Sequence, residues 1–337
     1  MIKDIRIALI GCGGISKKHI PNIIKTPGMR IIATMDLVEK YAAECAQQAK
    51  AEYFTTDINK VLSDKDIDAV IICSTHDTHA KLSIKFLEAG KFVFCEKPLA
   101  MTLNESRQIQ KTVHKTGLQL MSGWWFKHSP VTKRLRHVIQ RPKFIQFTCR
   151  ISNDNKLQEN PYSKEGLLDN AGYNLHWIWH VMRSQPVEVY AMGLGGGLSS
   201  TSIITIRFEN GSLGNSVYST NGGGGIIPKH YAEVQEGKVS AATLRFSNLV
   251  FDGTDEPGID KNKYHNGFNE EMEMFHKLCV SGKDNPMDAW ESSIPTLIFE
   301  KAVKSMTTGQ PIKVDIQKDF YIPNGNLPTS ISKFGDV

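Results

Sequence analysis

Ile5-Arg6-Ile7-Ala8-Leu9-Ile10-Gly11-Cys12-Gly13-Gly14-Ile15-Ser16 reads as a short apolar strand that runs into a glycine-rich turn. Ser16 to Lys25 then carries the composition of a helix. In such a strand–turn–helix, Gly11 permits the tight turn and Gly13 lets the backbone approach a pyrophosphate closely. Gly14 and Ile15 complete the turn, and the helix start offers free N–H groups and a positive dipole end to the anion. The third position of the fingerprint is Ser16 rather than glycine, and a small residue still allows close helix packing there.

The next run, Arg30 to Met35, ends at Asp36, 20 residues beyond Ser16. An acid at that place bonds the adenosine ribose hydroxyls of a dinucleotide and repels the 2′-phosphate of NADP. Leu37 follows, not an arginine that would bind that phosphate. The expected cofactor is therefore NAD, although FAD and S-adenosylmethionine can use similar turns.

Outward from this unit the alternation continues. Val38 to Lys50 is helical in composition. Ala69 to Cys73 is a continuous run of the kind buried on both faces of a sheet. A helix over Thr78 to Ala89 follows, with Gly90 at its end. Phe92 to Cys95 is a strand, Leu103 to Thr116 a helix and Leu118 to Ser122 a strand. Strands alternating with helices predict a doubly wound parallel sheet. After about Gly123 the pattern changes. Helices are expected over Pro130 to Gln140 and Leu175 to Arg183. Strands are expected over Phe144 to Ile151, Val187 to Met192, Ser202 to Phe208, Gly214 to Thr220, Tyr231 to Gln235 and Thr243 to Phe246. Turns fall at Glu209-Asn210-Gly211-Ser212 and at the glycine run Gly222 to Gly225. Consecutive strands without intervening helices predict an open, largely antiparallel sheet. Two amphipathic helices, Asn269 to Ser281 and Asp288 to Thr308, close the chain. The expected architecture is α/β: a Rossmann domain over 1–122, and an α+β domain over 123–337 for substrate binding and oligomerisation.

The 337 residues suffice for two domains with ordinary cores, at 40% hydrophobic and 22% charged residues. The net charge of +5 is spread along the chain, which argues against a nucleic-acid partner. The six cysteines form no Cys-x-x-Cys pair and read as free thiols of a reducing compartment. No apolar run is long enough for a membrane span and no signal-peptide pattern is present, so a cytoplasmic protein is expected.

Glu96-Lys97-Pro98 directly follows the strand Phe92 to Cys95. Groups just beyond the carboxyl ends of parallel strands face the cofactor crevice. An isolated lysine is most often a solvated surface charge. Here buried strand residues precede it and Pro98 rigidifies it, with a cis peptide bond as one option. A lysine there can bond a substrate hydroxyl and stabilise developing negative charge.

Taken together, the glycine-rich turn, Asp36, Cys73-Ser74-Thr75-His76 with Thr78-His79, and Cys95-Glu96-Lys97-Pro98 resemble the glucose–fructose oxidoreductase / inositol dehydrogenase / rhizopine-catabolism family. Phe275 to Gly282 and the tail, Glu300-Lys301-Ala302 with Thr308-Gly309-Gln310-Pro311-Ile312, resemble it too. The likeness covers nearly the whole chain, and Glu-Lys-Pro is its most specific mark. It implies a Rossmann domain, an open sheet used to form a homodimer or homotetramer, Lys97 in the catalytic pair, and sugar or polyol substrates. Where relatives often carry Thr-Pro-Asn, this chain has Ser74-Thr75-His76, which with His79, Glu96 and Lys97 are assigned to the cofactor side.

The family's second-domain motif is Asp-x-Gly-x-His-x-x-Asp, with tyrosine replacing histidine in some members. Anchored on Asp169, it puts Ala171 at the glycine, Tyr173 at the histidine and His176 at the final aspartate. A one-residue shift would instead use Asn170, Gly172, Asn174 and Trp177. The first alignment leaves titratable groups: Asp169 orients substrate hydroxyls, and His176, or Tyr173 with Lys97, takes the hydroxyl proton. His176 and His180 share a helix face at i, i+4, but without the glutamate of a His-Glu-x-x-His pattern no metal is expected. Trp124, with Trp125 and Phe126 after it, either stacks on a sugar face or packs between domains. The reaction so implied is NAD-dependent oxidation of a secondary alcohol on a sugar or cyclitol. The alternatives are a ligand sensor without turnover, and an NAD-recycling glycosidase or eliminase. Specificity is expected in the loops Asn153 to Gly166 and Gly222 to His230.

Overall fold

A computed structural model describes residues 4–150, 166–193, 201–219, 230–244, 248–256, 259, 267–285 and 287–334, with side chains lacking for 166–171 and 244. The chain forms two compact units. The first comprises Met1–Trp125, Phe268–Ser293 and Phe320–Val337, and the second Phe126–Gly267 and Ile294–Asp319. Two stretches from beyond residue 122 thus group with the first unit, whereas the sequence reading used one boundary.

The first unit begins with β1 (Ile5–Ile10), α1 (Ser16–Lys25), β2 (Met29–Met35), α2 (Glu39–Ala49), β3 (Tyr53–Thr55) and α3 (Ile58–Ser63). It continues with β4 (Ala69–Ile72), α4 (His76–Glu88), β5 (Phe92–Glu96), α5 (Leu103–Thr116) and β6 (Leu120–Gly123). The six strands are parallel in the order β3-β2-β1-β4-β5-β6. This is the doubly wound sheet expected, and its central strands are dry. Ile7, Ala8, Leu9 and all of Ala69–Ile72 are completely buried, as strands covered on both faces must be. Sequence reasoning missed β3 and α3. β3 has three residues at the sheet edge, too few to show a period, and α3 is capped by the Asp57 carboxylate, which accepts the Asn59 N–H.

The second unit holds α6 (Trp125–His128, shared with the boundary), α7 (Pro130–Val138), β7 (Phe144–Arg150), α8 (Gly166–Met182), β8 (Pro186–Gly193), β9 (Thr201–Phe208) and β10 (Leu213–Ser219). Strands β11 (His230–Glu236), β12 (Val239–Leu244), β13 (Val250–Phe251) and β14 (Thr254–Asp255) follow. In chain order α9 (Phe268–Ser281) comes next and belongs to the first unit. Then α10 (Ile294–Thr308), β15 (Ile312–Lys313) and α11 (Ile316–Asp319) complete the second unit, and α12 (Thr329–Ser332) closes the first. Nine strands pair in the order β14-β13-β12-β11-β7-β10-β9-β8-β15, all antiparallel except β7 with β10.

One face of this sheet is buried: Val189 and Ala191, Ile204 and Ile206, Ile145 and Phe147, Ala232 and Val234 all point into it. Helices α8 and α10 cover it. Gly214 of β10 makes room for α8, since a Cβ there would lie 2.5 Å from Ile178 Cγ2. The alternate residues leave Tyr190, Met192, Ile203 and Leu213 exposed on the opposite face.

Helix α8 starts nine residues before the expected Leu175, which places the whole Asp169–His176 stretch on a helix. Asn170, Gly172, Tyr173 and Asn174 are poor helix formers, but packing overrides propensity. Asn174 donates to Ser216 Oγ at 3.1 Å, and the Tyr173 ring lies 5.0 Å from that of Phe126. Helix α10 starts at Ile294, after a 3-10 turn over Glu291–Ser293, with Pro295 tolerated in its first turn. β12 is shifted from the expected Thr243 to Phe246, and Phe246 lies outside the described residues. The same holds for the glycine run Gly222 to Gly225 and the two specificity loops up to their last residues. No helix among the described residues is long and apolar enough to cross a membrane.

Candidate active site

In the first unit the glycine-rich turn joins β1 to α1. Gly11 has φ +86°, and a Cβ on it would stand 2.6 Å from Ser74 N and 2.7 Å from the Cys73 carbonyl. The turn after β1 therefore lies against the segment after β4, and only glycine fits there. Gly13 and Gly14 differ: a Cβ on either meets nothing within 4 Å. Their backbone borders open space at the start of α1, where the first-turn N–H groups have no partner in the helix. Ile15 occupies the N-cap without a side-chain cap, and Ser16 Oγ donates to the Gly13 carbonyl at 2.6 Å.

Asp36 directly follows β2 and is half-buried. Its Oδ2 accepts the Cys12 N–H and its Oδ1 the Val38 N–H, each at 2.8 Å. The acid and the fingerprint turn are thus tied together, and lone pairs remain on the carboxylate for ribose hydroxyls. Beside it Leu37 is 84% exposed, an apolar side chain in the place where an adenosine would shield it. Open backbone at Gly13 and Gly14, the free helix start and the anchored Asp36 fit a dinucleotide such as NAD.

Ser74 and Thr75 lie between β4 and α4, and His76 opens α4. Ser74 Oγ is 2.7 Å from Thr78 Oγ1, Thr75 is exposed and the His76 ring lies 5.5 Å from that of His79. His79 and Glu96, which were assigned to the cofactor side, have their side chains turned into the unit. His79 is fully buried, with Nδ1 2.8 Å from the Pro98 carbonyl oxygen and Nε2 3.1 Å from that of Ser74. Glu96 is 6% exposed; its Oε1 is 2.5 Å from His19 Nε2, and its Oε2 accepts the Lys97 N–H at 3.1 Å. Burial pushes the Glu96 carboxyl up, but the bond and charge of His19, then Lys97, outweigh it and hold it below the ordinary range. The Lys97–Pro98 peptide is cis and Lys97 is half-buried. Trp124 is completely buried, which suits packing better than stacking on a sugar.

The sequence reading missed two members of this unit. His19 stands fully buried on α1, and Glu271 fully buried on α9. Burial, then the charge of Glu96, pushes the Glu271 carboxyl well above its ordinary range. A signal existed: Glu271 shares the apolar stripe of Met272, Phe275, Leu278 and Cys279.

In the second unit, α8 carries Asp169, Tyr173 and His176; the Asp169 side chain is outside the described residues. Tyr173 is half-buried, whereas His176 is completely buried among the rings of Phe126 (5.6 Å), Trp179 (5.8 Å) and His180 (6.0 Å, stacked). His180 Nε2 faces Arg136 Nη1 at 3.1 Å, and an arginine only donates, so His180 is neutral there. Burial, then the Arg136 charge, holds His180 well below its ordinary range; burial, then Lys127, does the same for His128. Among the described residues no three histidines, cysteines or acids are placed to hold a metal ion.

The family model described as an oxidoreductase family with an NAD-binding Rossmann fold matches residues 5–124. The chain is 27% identical over 336 residues to an uncharacterized oxidoreductase, YrbE, of Bacillus subtilis, covering 94% of this chain and 98% of that one. It is 25% identical over 331 residues to myo-inositol 2-dehydrogenase of Thermotoga maritima, covering 92% and 98%. The structure of GenD2 from gentamicin A biosynthesis, solved in complex with NAD, superposes with a TM-score of 0.74 at 16% identity, covering 94% of this chain and 97% of that one. Residues 5–124, with the NAD-binding turn and Glu96-Lys97-Pro98, thus form the Rossmann unit of the glucose–fructose oxidoreductase / inositol dehydrogenase / rhizopine-catabolism family of oxidoreductases, and the chain is similar to such oxidoreductases over nearly its whole length.

Proposed function

We propose that the protein oxidises a secondary alcohol of a cyclitol, sugar or related polyol with NAD. The observation that carries this reading is the place of Lys97. It stands at the carboxyl end of β5, and the glycine turn and Ser74 stand at the carboxyl ends of β1 and β4 in the same sheet. Ligands of doubly wound sheets bind at that edge. The full-length likeness to a myo-inositol 2-dehydrogenase supports the polyol class.

Bound NAD supplies the hydride acceptor. Asp36 holds the ribose and excludes a 2′-phosphate. Lys97 bonds the reacting hydroxyl and stabilises negative charge on its oxygen. Of the two candidates on α8 we assign proton transfer to Tyr173, the more exposed, and a supporting place to the buried His176. Asp169 orients substrate hydroxyls.

The test is NADH formation with myo-inositol, scyllo-inositol, aldoses and sugar acids, and NADP in parallel. Turnover of one of these with NAD is expected. In that assay Lys97→Ala should lower kcat about a hundredfold or more while leaving the NAD dissociation constant in place. Unchanged turnover removes Lys97 from the reaction, and a preference for NADP overturns the assignment of Asp36. NAD binding without turnover of any panel member favours a ligand sensor, and NAD retained through purification favours its recycling in an elimination.

A further inference from the structure

The residues on either side of Lys97 are each held by a buried histidine from a different helix. On one side, Glu96 turns inward. Its Oε1 meets His19 Nε2 of α1 at 2.5 Å, and its Oε2 accepts the Lys97 N–H at 3.1 Å. The His19 ring is itself fixed, edge-on to Phe94 at 5.3 Å and to Phe268 at 5.5 Å. On the other side, His79 of α4 has Nδ1 2.8 Å from the Pro98 carbonyl oxygen and Nε2 3.1 Å from the Ser74 carbonyl oxygen. Both histidines have no exposed surface.

We propose that His19 and His79 are positioning residues for Lys97, His19 acting through the Glu96 carboxylate and His79 through the Pro98 carbonyl. The proposal rests on the reading of Lys97 given above. A 1 Å displacement of a reacting group is enough to cost about two orders of magnitude in rate, so a lysine on a loop needs its backbone fixed. Here Lys97 is fixed at its own amide and at the carbonyl of the next residue. His79 also joins this segment to Ser74, beside the cofactor turn.

The surroundings are arranged for Glu96 to carry the charge. Gly123, at the end of β6, leaves the space: a Cβ there would lie 3.2 Å from Glu96 Oε1. Of the two buried carboxyls, Glu271 is the one pushed up, by burial and then by the charge of Glu96. An apolar set in this place would avoid the cost of burying ions and would pack as well. What it could not do is hold the Lys97 amide with an acceptor.

The titratable groups that interact with Glu96 are His19 from α1, Cys95 and Lys97 from its own strand end, Cys73 beyond β4, His79 from α4 and Glu271 from α9. Without His19, burial is opposed only by the charge and the N–H of Lys97, so Glu96 takes up a proton at higher pH. The acid limb of kcat against pH should then move upward.

The experiment compares wild type with His19→Leu, His19→Gln, His79→Leu and Lys97→Ala, with NAD and the panel polyol turned over fastest. A glutamine amide reaches near the Nε2 position and can still donate to Glu96. His19→Leu and His79→Leu are expected to lower kcat on the order of tenfold to a hundredfold. For His19→Leu the NAD dissociation constant should stay unchanged and the acid limb should rise. His19→Gln should recover most of kcat but keep the raised limb. A readout without substrate accompanies these: the rate at which acetic anhydride modifies Lys97, followed by mass spectrometry across pH, should change in both leucine variants. Folded leucine variants with wild-type kcat, pH profile and labelling overturn the proposal. So does loss of activity only in step with loss of thermal stability, with no rescue by His19→Gln and an unmoved limb. If Lys97→Ala itself turns over normally, the reading of Lys97 fails; if it is inactive and the histidine variants are normal, only the positioning role fails.

Discussion

Gly11 and Gly13 stand two residues apart and constrain different things. At Gly11 a methyl group would meet the Ser74 amide at 2.6 Å from a backbone at φ +86°. Gly11→Ala is therefore expected to destabilise the protein by about 1–3 kcal/mol, read from urea denaturation. At Gly13 a methyl group meets no protein atom and the backbone is not left-handed. Gly13→Ala should leave the denaturation midpoint nearly unchanged and weaken NAD binding, measured by titration of intrinsic fluorescence. Equal stability losses in the two variants would contradict this division. The two glycines, Asp36 and Lys97 were legible in the sequence because type and spacing alone mark them. His19 and Glu96 were not legible as a pair, because 77 residues separate them and neither type announces a partner. Trp124 was legible as important but not in which sense; only its burial decides for packing.

Among elements, those buried on both faces were read almost to the residue, since a continuous apolar run has to be covered on every side. Helix α8 was under-read because its first turns depend on what they pack against. The short elements near the end of the chain show the same dependence. Asp288 caps the 3-10 turn before α10: its Oδ1 accepts the N–H groups of Trp290 (3.0 Å) and Glu291 (2.9 Å). Its Oδ2 accepts from Ser330 Oγ of α12 at 2.6 Å. Burial, which outweighs the bonds from Ser330 and the backbone, raises the Asp288 carboxyl from 3.8 to about 6. Between those values the native state holds a proton that the unfolded chain has released. Stability is thus highest below pH 3.8 as far as this group is concerned, falls as pH rises to about 6, and stays lower above it. Asp288→Asn keeps an acceptor for the two N–H groups and removes the titration. Urea midpoints measured against pH should fall less steeply across this window in Asp288→Asn than in wild type; parallel curves would show that Asp288 does not titrate there.

At the scale of the molecule, the two kinds of sheet were legible from the change in pattern near Gly123, but the membership of the units was not. The returns of the chain to the first unit are made by contacts that no local pattern records. Asn285 Nδ2 donates to the Leu120 carbonyl at 2.7 Å, Tyr321 N to Gln110 Oε1 at 2.9 Å and Trp290 Nε1 to the Tyr321 carbonyl at 2.7 Å. We propose the open sheet of the second unit as the face through which copies of the chain assemble. Its exposed face alternates polar groups such as Thr205 and Asn215 with Tyr190, Met192, Ile203 and Leu213, which are 37%, 57%, 41% and 37% exposed. A side-by-side apolar pair, Met192 opposite Ile203, is the kind of surface that pairs with a second copy. Met192→Arg with Ile203→Glu tests this without unsettling the sheet, because opposite charges directly across an antiparallel pair support one another. Buried against a second copy, the same charges cost more than they return. Light scattering should give wild type a mass that is a multiple of 37.7 kDa and the double variant a mass near 37.7 kDa, with thermal unfolding of the strands unaltered. A wild type that stays at the single-chain mass, or a double variant that assembles as before, would remove this face from the assembly.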